Sequence, residues 1–236
     1  MPKGTLYLLP SGMGNNTATR IIPAYNVEVM ATLKHFIVEN GKTARAFLKD
    51  AVPGIVLQER NYYELNNHTH PNEYLELVKP LLNGEDVGLM SEAGCPGIAD
   101  PGAEVVKIAH AQHIKVIPLV GPSSVFMALM ASGFNGQSFA FNGYLPKDKS
   151  ERKTKLKELE RLANSRNQSQ LFIETPYRNE QLWQELLQHL SPAMKMLVAC
   201  DITTDKEFIR SQYVADWKKG AMPDIAKRPC IFGIGA

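Results

Sequence analysis

The chain has no apolar run near the ~18 residues of a membrane span, and its opening "MPKGTLYLLPSG" has a short apolar patch without a signal-peptide cleavage pattern. A cytoplasmic protein with no membrane partner is expected. Cysteine is scarce: Cys95, Cys200 and Cys230 are odd in number and show no paired spacing, which suits a reducing compartment and gives neither a zinc nor a disulfide signature. Neither sign of charge dominates, since 26 basic minus 24 acidic side chains leave a net charge of +2, so a nucleic acid would have to be met by a local patch. Low-complexity tracts, internal repeats and Gly/Ser linkers are missing. Missing too are G-x-G-x-x-G, G-x-x-x-x-G-K-[ST] and the G-x-S-x-G elbow, so Ser123 and Ser124 are poor hydrolase nucleophiles. The pair His68 and His70 in "HTH" has no third ligand nearby. It reads as a polar loop, and no metal is expected.

What remains is an ordinary globular chain of 236 residues, 44% hydrophobic and 21% charged. Short β-rich runs, "TLYLL" (5–9), "HFIVE" (35–39), "GIVLQ" (54–58), "VGLMS" (87–91) and "KVIPLV" (115–120), alternate with helix-length segments. Those helices include "EYLELVKPLL" from Glu73, "AEVVKIAHAQ" from Ala103 and "SVFMALMASG" from Ser124, stopped by Gly133. Strand and helix in alternation predict a parallel sheet covered on both faces. The second half is expected to hold a mixed sheet, because "MKMLVACDI" (194–202) and "KEFIRSQY" (206–213) are separated by a turn too short for a crossover. The fold class is therefore α/β in two domains, 1–120 and 121–236.

"LMSEAGCPGIADPG" (89–102) leaves the carboxyl end of a predicted strand with three glycines, and that edge of an α/β sheet is where ligands bind. "PSGMGNN" (10–16) and "GPSS" (121–124) follow the first and fifth strands in the same way. Asp100 is expected to cap the next helix, with Pro101 in its first turn. The basic run "KDKSERKTKLK" (147–157), "KRP" (227–229), Arg178 and Arg210 would suit a phosphate-bearing substrate, or simply a solvated helix face.

"LMSEAGCPGIADPGAEVV", "VIPLVGPSSVFMALMASGF" and "FAFNGYLP", with "GTLYLLPSGMGN" and "ETPYR", together resemble the tetrapyrrole methylase superfamily of S-adenosylmethionine (SAM) methyltransferases. The likeness is greatest to the branch that methylates a cytidine ribose 2′-hydroxyl in small-subunit ribosomal RNA. It implies two α/β domains with an active-site cleft between them, SAM as cofactor, a homodimer, and RNA or the small ribosomal subunit as partner. Carried over by position, the cofactor would touch Met13, Gly14, Ala93, Gly94, Cys95, Ile98, Ser123 and Ser124, and on the second-domain side Glu174 and Thr203. Glu39 would be the catalytic base and Lys42 would serve the acceptor, in a segment (39–45) lying across the cleft from the SAM loops. Glu92 is a second candidate base, read as binding a cofactor hydroxyl or bracing its loop.

The substrate side departs from that pattern. The branch typically runs Ala-Glu-Asp-Thr-Arg after its second strand, whereas this chain reads "VENGKTAR" (38–45), with Asn40 for the second acid and Lys42 for the arginine. Glu39 is then expected to be the sole carboxylate able to accept a proton there. "ERNYYELNNHTHPNE" also replaces the branch's His-rich stretch. Three readings stay open: an RNA methyltransferase, a methyltransferase of the same fold acting on a tetrapyrrole or other small molecule, and a catalytically silent SAM- or nucleotide-binding module.

Overall fold

A computed structural model describes residues 2–14, 18–66 and 69–236, apart from the side chain of Pro71. The chain forms two compact units, Met1–Ser123 and Ser124–Ala236. The first runs β1 (Thr5–Leu9), α1 (Ala18–Ile21), α2 (Ala24–Thr32), β2 (His35–Val38), α3 (Gly41–Ala51), β3 (Asn61–Glu64), α4 (Tyr74–Leu77), α5 (Lys79–Leu82), β4 (Val87–Met90), α6 (Ala103–Ala111) and β5 (Lys115–Pro118). The second runs α7 (Ser124–Ser132), β6 (Phe139–Tyr144), α8 (Lys149–Arg166), β7 (Ser169–Ile173), α9 (Asn179–His189), β8 (Lys195–Cys200), β9 (Phe208–Tyr213), α10 (Val214–Trp217) and β10 (Cys230–Gly235).

The strands of the first unit are all parallel, in the order β3-β2-β4-β1-β5. Every residue of the central strands β2 and β4 is buried, as continuous apolar runs between two helical layers should be. Alternate residues feed opposite cores. Phe36 and Val38 pack with Met30 of α2 and Leu48 of α3, while Ile37 and Leu89 pack with Leu81 of α5 and Val105 of α6.

The third strand differs from its sequence-based placement at 54–58. Gly54 turns the chain at φ +77, Ile55 and Leu57 pack against the core, and a 3-10 turn covers Leu57–Glu59 before β3 begins at Asn61. Ile55 and Leu57 of "GIVLQ" serve the core without pairing while Val56 is exposed, and the edge position goes to the half-buried Tyr62 and Tyr63. The single helix expected from Glu73 is broken at Val78, the second residue before Pro80.

The second unit carries the mixed sheet, order β6-β7-β10-β8-β9. β6 and β7 are parallel, whereas β10 runs antiparallel to both β7 and β8, and β9 antiparallel to β8. One face is covered by Leu156 and Leu159 of α8 and by Leu182, Trp183 and Leu186 of α9. Trp183 meets Trp217 of α10 edge to face, ring centroids 4.8 Å apart.

Between α8 and α9 lies an ion pair taken out of water. Arg152 Nε and Nη2 donate to Glu185 at 2.5 and 2.7 Å, and Nη1 reaches the carbonyls of Pro146 and Lys147. The side chains are 3% and 10% exposed, so each charge depends on the other, and the guanidinium holds the Glu185 carboxyl below its ordinary range. Glu185→Ala is expected to cost about 3–5 kcal/mol by stranding the Arg152 charge, and joint replacement by Arg152→Met and Glu185→Leu much less. Denaturant unfolding of the two variants measures the difference.

Candidate active site

In a parallel sheet every strand delivers its following loop to the same edge. Strands β4, β1 and β5 are neighbours, so the loops at 91–102, 10–14 and 119–123 emerge side by side, and they are laced together. Ser11 N donates to Gly94 O at 2.8 Å, Ser11 Oγ to Ser91 O at 2.7 Å, and the Cys95 thiol to Pro122 O at 3.3 Å. Asn26 of α2, itself buried, holds Val120 O at 2.8 Å. Gly121 is required by close approach, because a Cβ there would lie 2.2 Å from the Pro10 ring. Gly94 is required by conformation, with φ +74 and no close neighbour for a Cβ nearer than 3.5 Å. Burial pushes the Cys95 thiol pKa up, so it stands here as a neutral donor.

Next to β4 on its other side, β2 ends in Glu39. Glu92 N donates to Glu39 Oε1 at 3.3 Å, and Thr43 Oγ1 of α3 donates to Glu92 Oε1 at 2.5 Å. The 39–45 segment thus stands beside the 91–102 loop, not across from it, because β2 and β4 are hydrogen-bonded neighbours. Asn40 accepts from the amides of Lys42 and Thr43 as the cap of α3. An aspartate at 40 would make the same two bonds, so the exchange preserves the helix start while removing a charge. Lys42, in the first turn of α3, is exposed, and Arg45 stacks over Tyr62 at 5.1 Å.

Asp100 corrects two expectations. The cap position of α6 is Gly102 with no side-chain cap, so Asp100 does not start that helix. Its carboxyl is half-buried, takes a hydrogen bond from Ser91 and is pushed up by burial and by Glu92. Glu39 is not the sole carboxylate either: burial raises its proton affinity most, and repulsion from Asp100 and Glu92 adds to this. Sequence spacing could not show three acids from two strand ends converging, although the parallel order of β2 and β4 implies it.

In the second unit, Glu174 and Thr203 are ordered differently. Glu174 Oε1 accepts from Arg178 Nε and Nη2 and from the Thr175 amide, so that oxygen braces its own strand end. Thr203 lies at φ +75, an outlier for a β-branched residue, two residues after Asp201 at φ +47. Its amide is held by Glu207 at 2.8 Å, while its buried Oγ1 has no partner among the described residues. Met13 is half-buried and Gly14 exposed, whereas Asn15, Asn16 and His68 lie outside the described residues. Among the described residues no group of three or more His, Cys, Asp or Glu could hold a metal ion.

These features suit a cationic cofactor with a flat ring. In the first unit Gly14 and Ala93 are exposed, Ile98 and Val120 are apolar yet 48% and 79% exposed at the loops, and the Glu39 and Asp100 carboxyls lie beside them. The fold defines a two-unit α/β protein whose first sheet gathers its loops at one edge. The sequence pattern of the tetrapyrrole (corrin/porphyrin) methylases matches residues 17–216, and the chain belongs to that family, that of methyltransferases that use SAM. Ribosomal RNA small subunit methyltransferase I of Vibrio cholerae is 30% identical over 222 residues, covering 92% of this chain and 72% of that protein. The protein of the same name from Halalkalibacterium halodurans is 30% identical over 211 residues, 88% and 68%. Among solved structures, the methyltransferase CobJ superposes with TM-score 0.65 at 16% identity, covering 100% of this chain and 94% of CobJ. Uroporphyrin-III C-methyl transferase from Thermus thermophilus, solved with S-adenyl homocysteine, gives 0.59 at 15% identity, 98% and 97%.

A carboxyl whose folded pKa lies above its ordinary 4.5 binds more protons folded than unfolded. Its favourable contribution is therefore complete below 4.5 and lost as pH rises through the raised value. Glu39→Gln keeps the bond from the Glu92 amide and removes the charge, so it should raise the melting temperature at pH 7 by roughly 1–3 °C. The gain should shrink toward pH 4.5, which thermal scans across that range would measure.

Proposed function

We propose that this protein transfers a methyl group from SAM to a ribose 2′-hydroxyl of small-subunit ribosomal RNA, with Glu39 as the base. The observation that carries the reading is the Glu39 carboxyl, anchored beside the glycine loops and raised in proton affinity. The choice of RNA rests on the 30% identity to the two ribosomal RNA methyltransferases named above. Bound SAM supplies the activated methyl group. The chain's own part is to hold it on the backbone of Gly94 and its neighbours Met13, Gly14, Ala93, Cys95, Ile98, Ser123 and Ser124. Glu39 orients the acceptor hydroxyl and takes its proton, and Lys42 meets a flanking phosphate as a point charge.

A second basic surface supports an RNA acceptor. On α8, Lys155 and Lys157 are paired with Glu158 and Glu160, and Arg152 with Glu185, whereas Lys149 and Lys153 make no salt bridge among the described residues. Those two lysines share one face (i, i+4) and line a groove of about 500 Å³ with Gln184, Gln188 and His189. We read the exposed Phe126 and Met130 of α7 as part of a homodimer contact, and the cytoplasm, where ribosomal subunits reside, as the location.

With tritiated SAM and small ribosomal subunits lacking the ribose methyl, Glu39→Gln is expected to lose transfer by a factor of about 100 or more while S-adenosylhomocysteine affinity changes little. Labelling of a small molecule and of no RNA would move the reading to the tetrapyrrole-like alternative. Gly94→Val, strained at φ +74, should weaken S-adenosylhomocysteine binding about tenfold or more by calorimetry, with the circular dichroism spectrum retained. Lys149→Glu with Lys153→Glu should weaken RNA binding and lower its log–log salt slope by about 2.

A further inference from the structure

The two cysteines of the second unit are 30 residues apart in sequence and are brought together by strand pairing. Cys200 ends β8, Cys230 begins β10, and they face each other on the last rung of that antiparallel ladder. One residue beyond, Asp201 N donates to Pro229 O at 3.0 Å. In an antiparallel ladder this makes the cysteines a non-hydrogen-bonded pair, the kind whose Cα atoms approach to about 4.5 Å. That spacing falls at the near end of the ~4.4–6.8 Å range disulfides span. The side chains already point at one another. The Sγ atoms lie 3.0 Å apart, and about 1 Å of further approach makes a bond.

We infer that Cys200 and Cys230 are a reversible oxidation site, closing to a cross-strand disulfide that reshapes the 201–207 turn. The chemistry needs a peroxide as oxidant. The hydrogen bond from Cys230 lowers the Cys200 pKa, with help from Arg228, and the same bond together with burial raises that of Cys230, so Cys200 is the nucleophile. The Cys200 thiolate attacks one peroxide oxygen, the O–O bond breaks, and hydroxide leaves a sulfenic acid behind. Cys230 sulfur then attacks Cys200 sulfur, the S–O bond breaks, and the departing hydroxide takes the Cys230 proton as water. Two thiols and one peroxide thus give one disulfide and two waters. Cys200 is fully buried and Cys230 only 6% exposed, so a small oxidant is favoured over a bulky disulfide or a protein.

The consequence follows from what the rung anchors. Asp201, immediately after Cys200, is bonded to Pro229 and ion-paired to Arg228 at 2.7 Å, and Arg228 also holds Lys206 O. Drawing the two sulfurs together pulls on both ends of this turn, which also holds Thr203 and its unpartnered hydroxyl.

The test uses the 236-residue chain treated with a small excess of hydrogen peroxide. Intact mass should fall by about 2 Da, peptide mapping should find Cys200 linked to Cys230 with Cys95 still alkylatable, and a dithiol should reverse both. Amide hydrogen exchange across residues 201–207 should change at least about twofold on oxidation and return on reduction. Cys230→Ser, compared with its own untreated state, should show no peroxide effect on that exchange, and circular dichroism checks that it folds. Both cysteines remaining alkylatable, or gaining oxygen without linking, would overturn the site. A linked protein with unchanged exchange would overturn the coupling to the turn.

Discussion

The constraint on which the rest depends is that the first sheet is parallel throughout. Parallel strands cannot be joined by tight turns, so each return needs a helix, and the helices bury both faces of β2 and β4. The same geometry sends every strand's carboxyl end to one edge. Four loops are thereby placed in a row without any one of them needing its own rigid support. Hydrogen bonds from Ser11 to Gly94, from Cys95 to Pro122 and from Thr43 to Glu92 then join them, so backbone that would be mobile singly is fixed collectively.

That arrangement has an electrostatic cost. Glu39 and Asp100 are partly desolvated and face each other's charge, with Glu92 adjacent, and neither has a basic partner among the described residues. A group optimised for stability would carry an arginine there, as Glu185 carries Arg152 in the other unit. Leaving the acids unpaired raises their proton affinity toward the range useful for accepting a proton, and leaves negative potential available to a cation. The contrast between the two units is physical: one buried acid is neutralised by a fork of hydrogen bonds, the others are held in reserve.

How far the sequence could be read depended on the range of the interactions involved. Buried strands such as "TLYLL" and "VGLMS" announce themselves by apolar continuity, and helices such as α8 by length and an N-cap, here Asp148. "GIVLQ" misleads because core packing and strand pairing ask for the same residues, and only the position of Gly54 and the sheet edge separates them. Of the candidate site, the glycine loops were legible because backbone requirements are local. The role of Asp100 was not, since a cap and a ligand to Ser91 look alike until the loop's path is known. The cysteines carry the same lesson. Spacing rules detect disulfides closed by local loops, whereas Cys200 and Cys230 meet only because β10 returns antiparallel beside β8.

The basic helix α8 shows why composition alone could not separate a solvated face from a binding face. Every lysine in the run looks alike in sequence, but i, i+3 neighbours absorb Lys155 and Lys157, and burial beside α9 absorbs Arg152. An ion pair on a surface is worth little in stability, yet it does remove a charge from the potential that an incoming polyanion feels. What remains attractive to phosphate is therefore the unpaired subset. That subset includes Lys149 and Lys153, one turn apart beside a groove whose single carboxylate, Glu185, is already bound to Arg152. The buried ion pair beneath the groove cancels its one negative charge. The pair that ties α8 to α9 for stability also makes the surface above it more positive, so one interaction serves both the fold and the proposed contact with RNA.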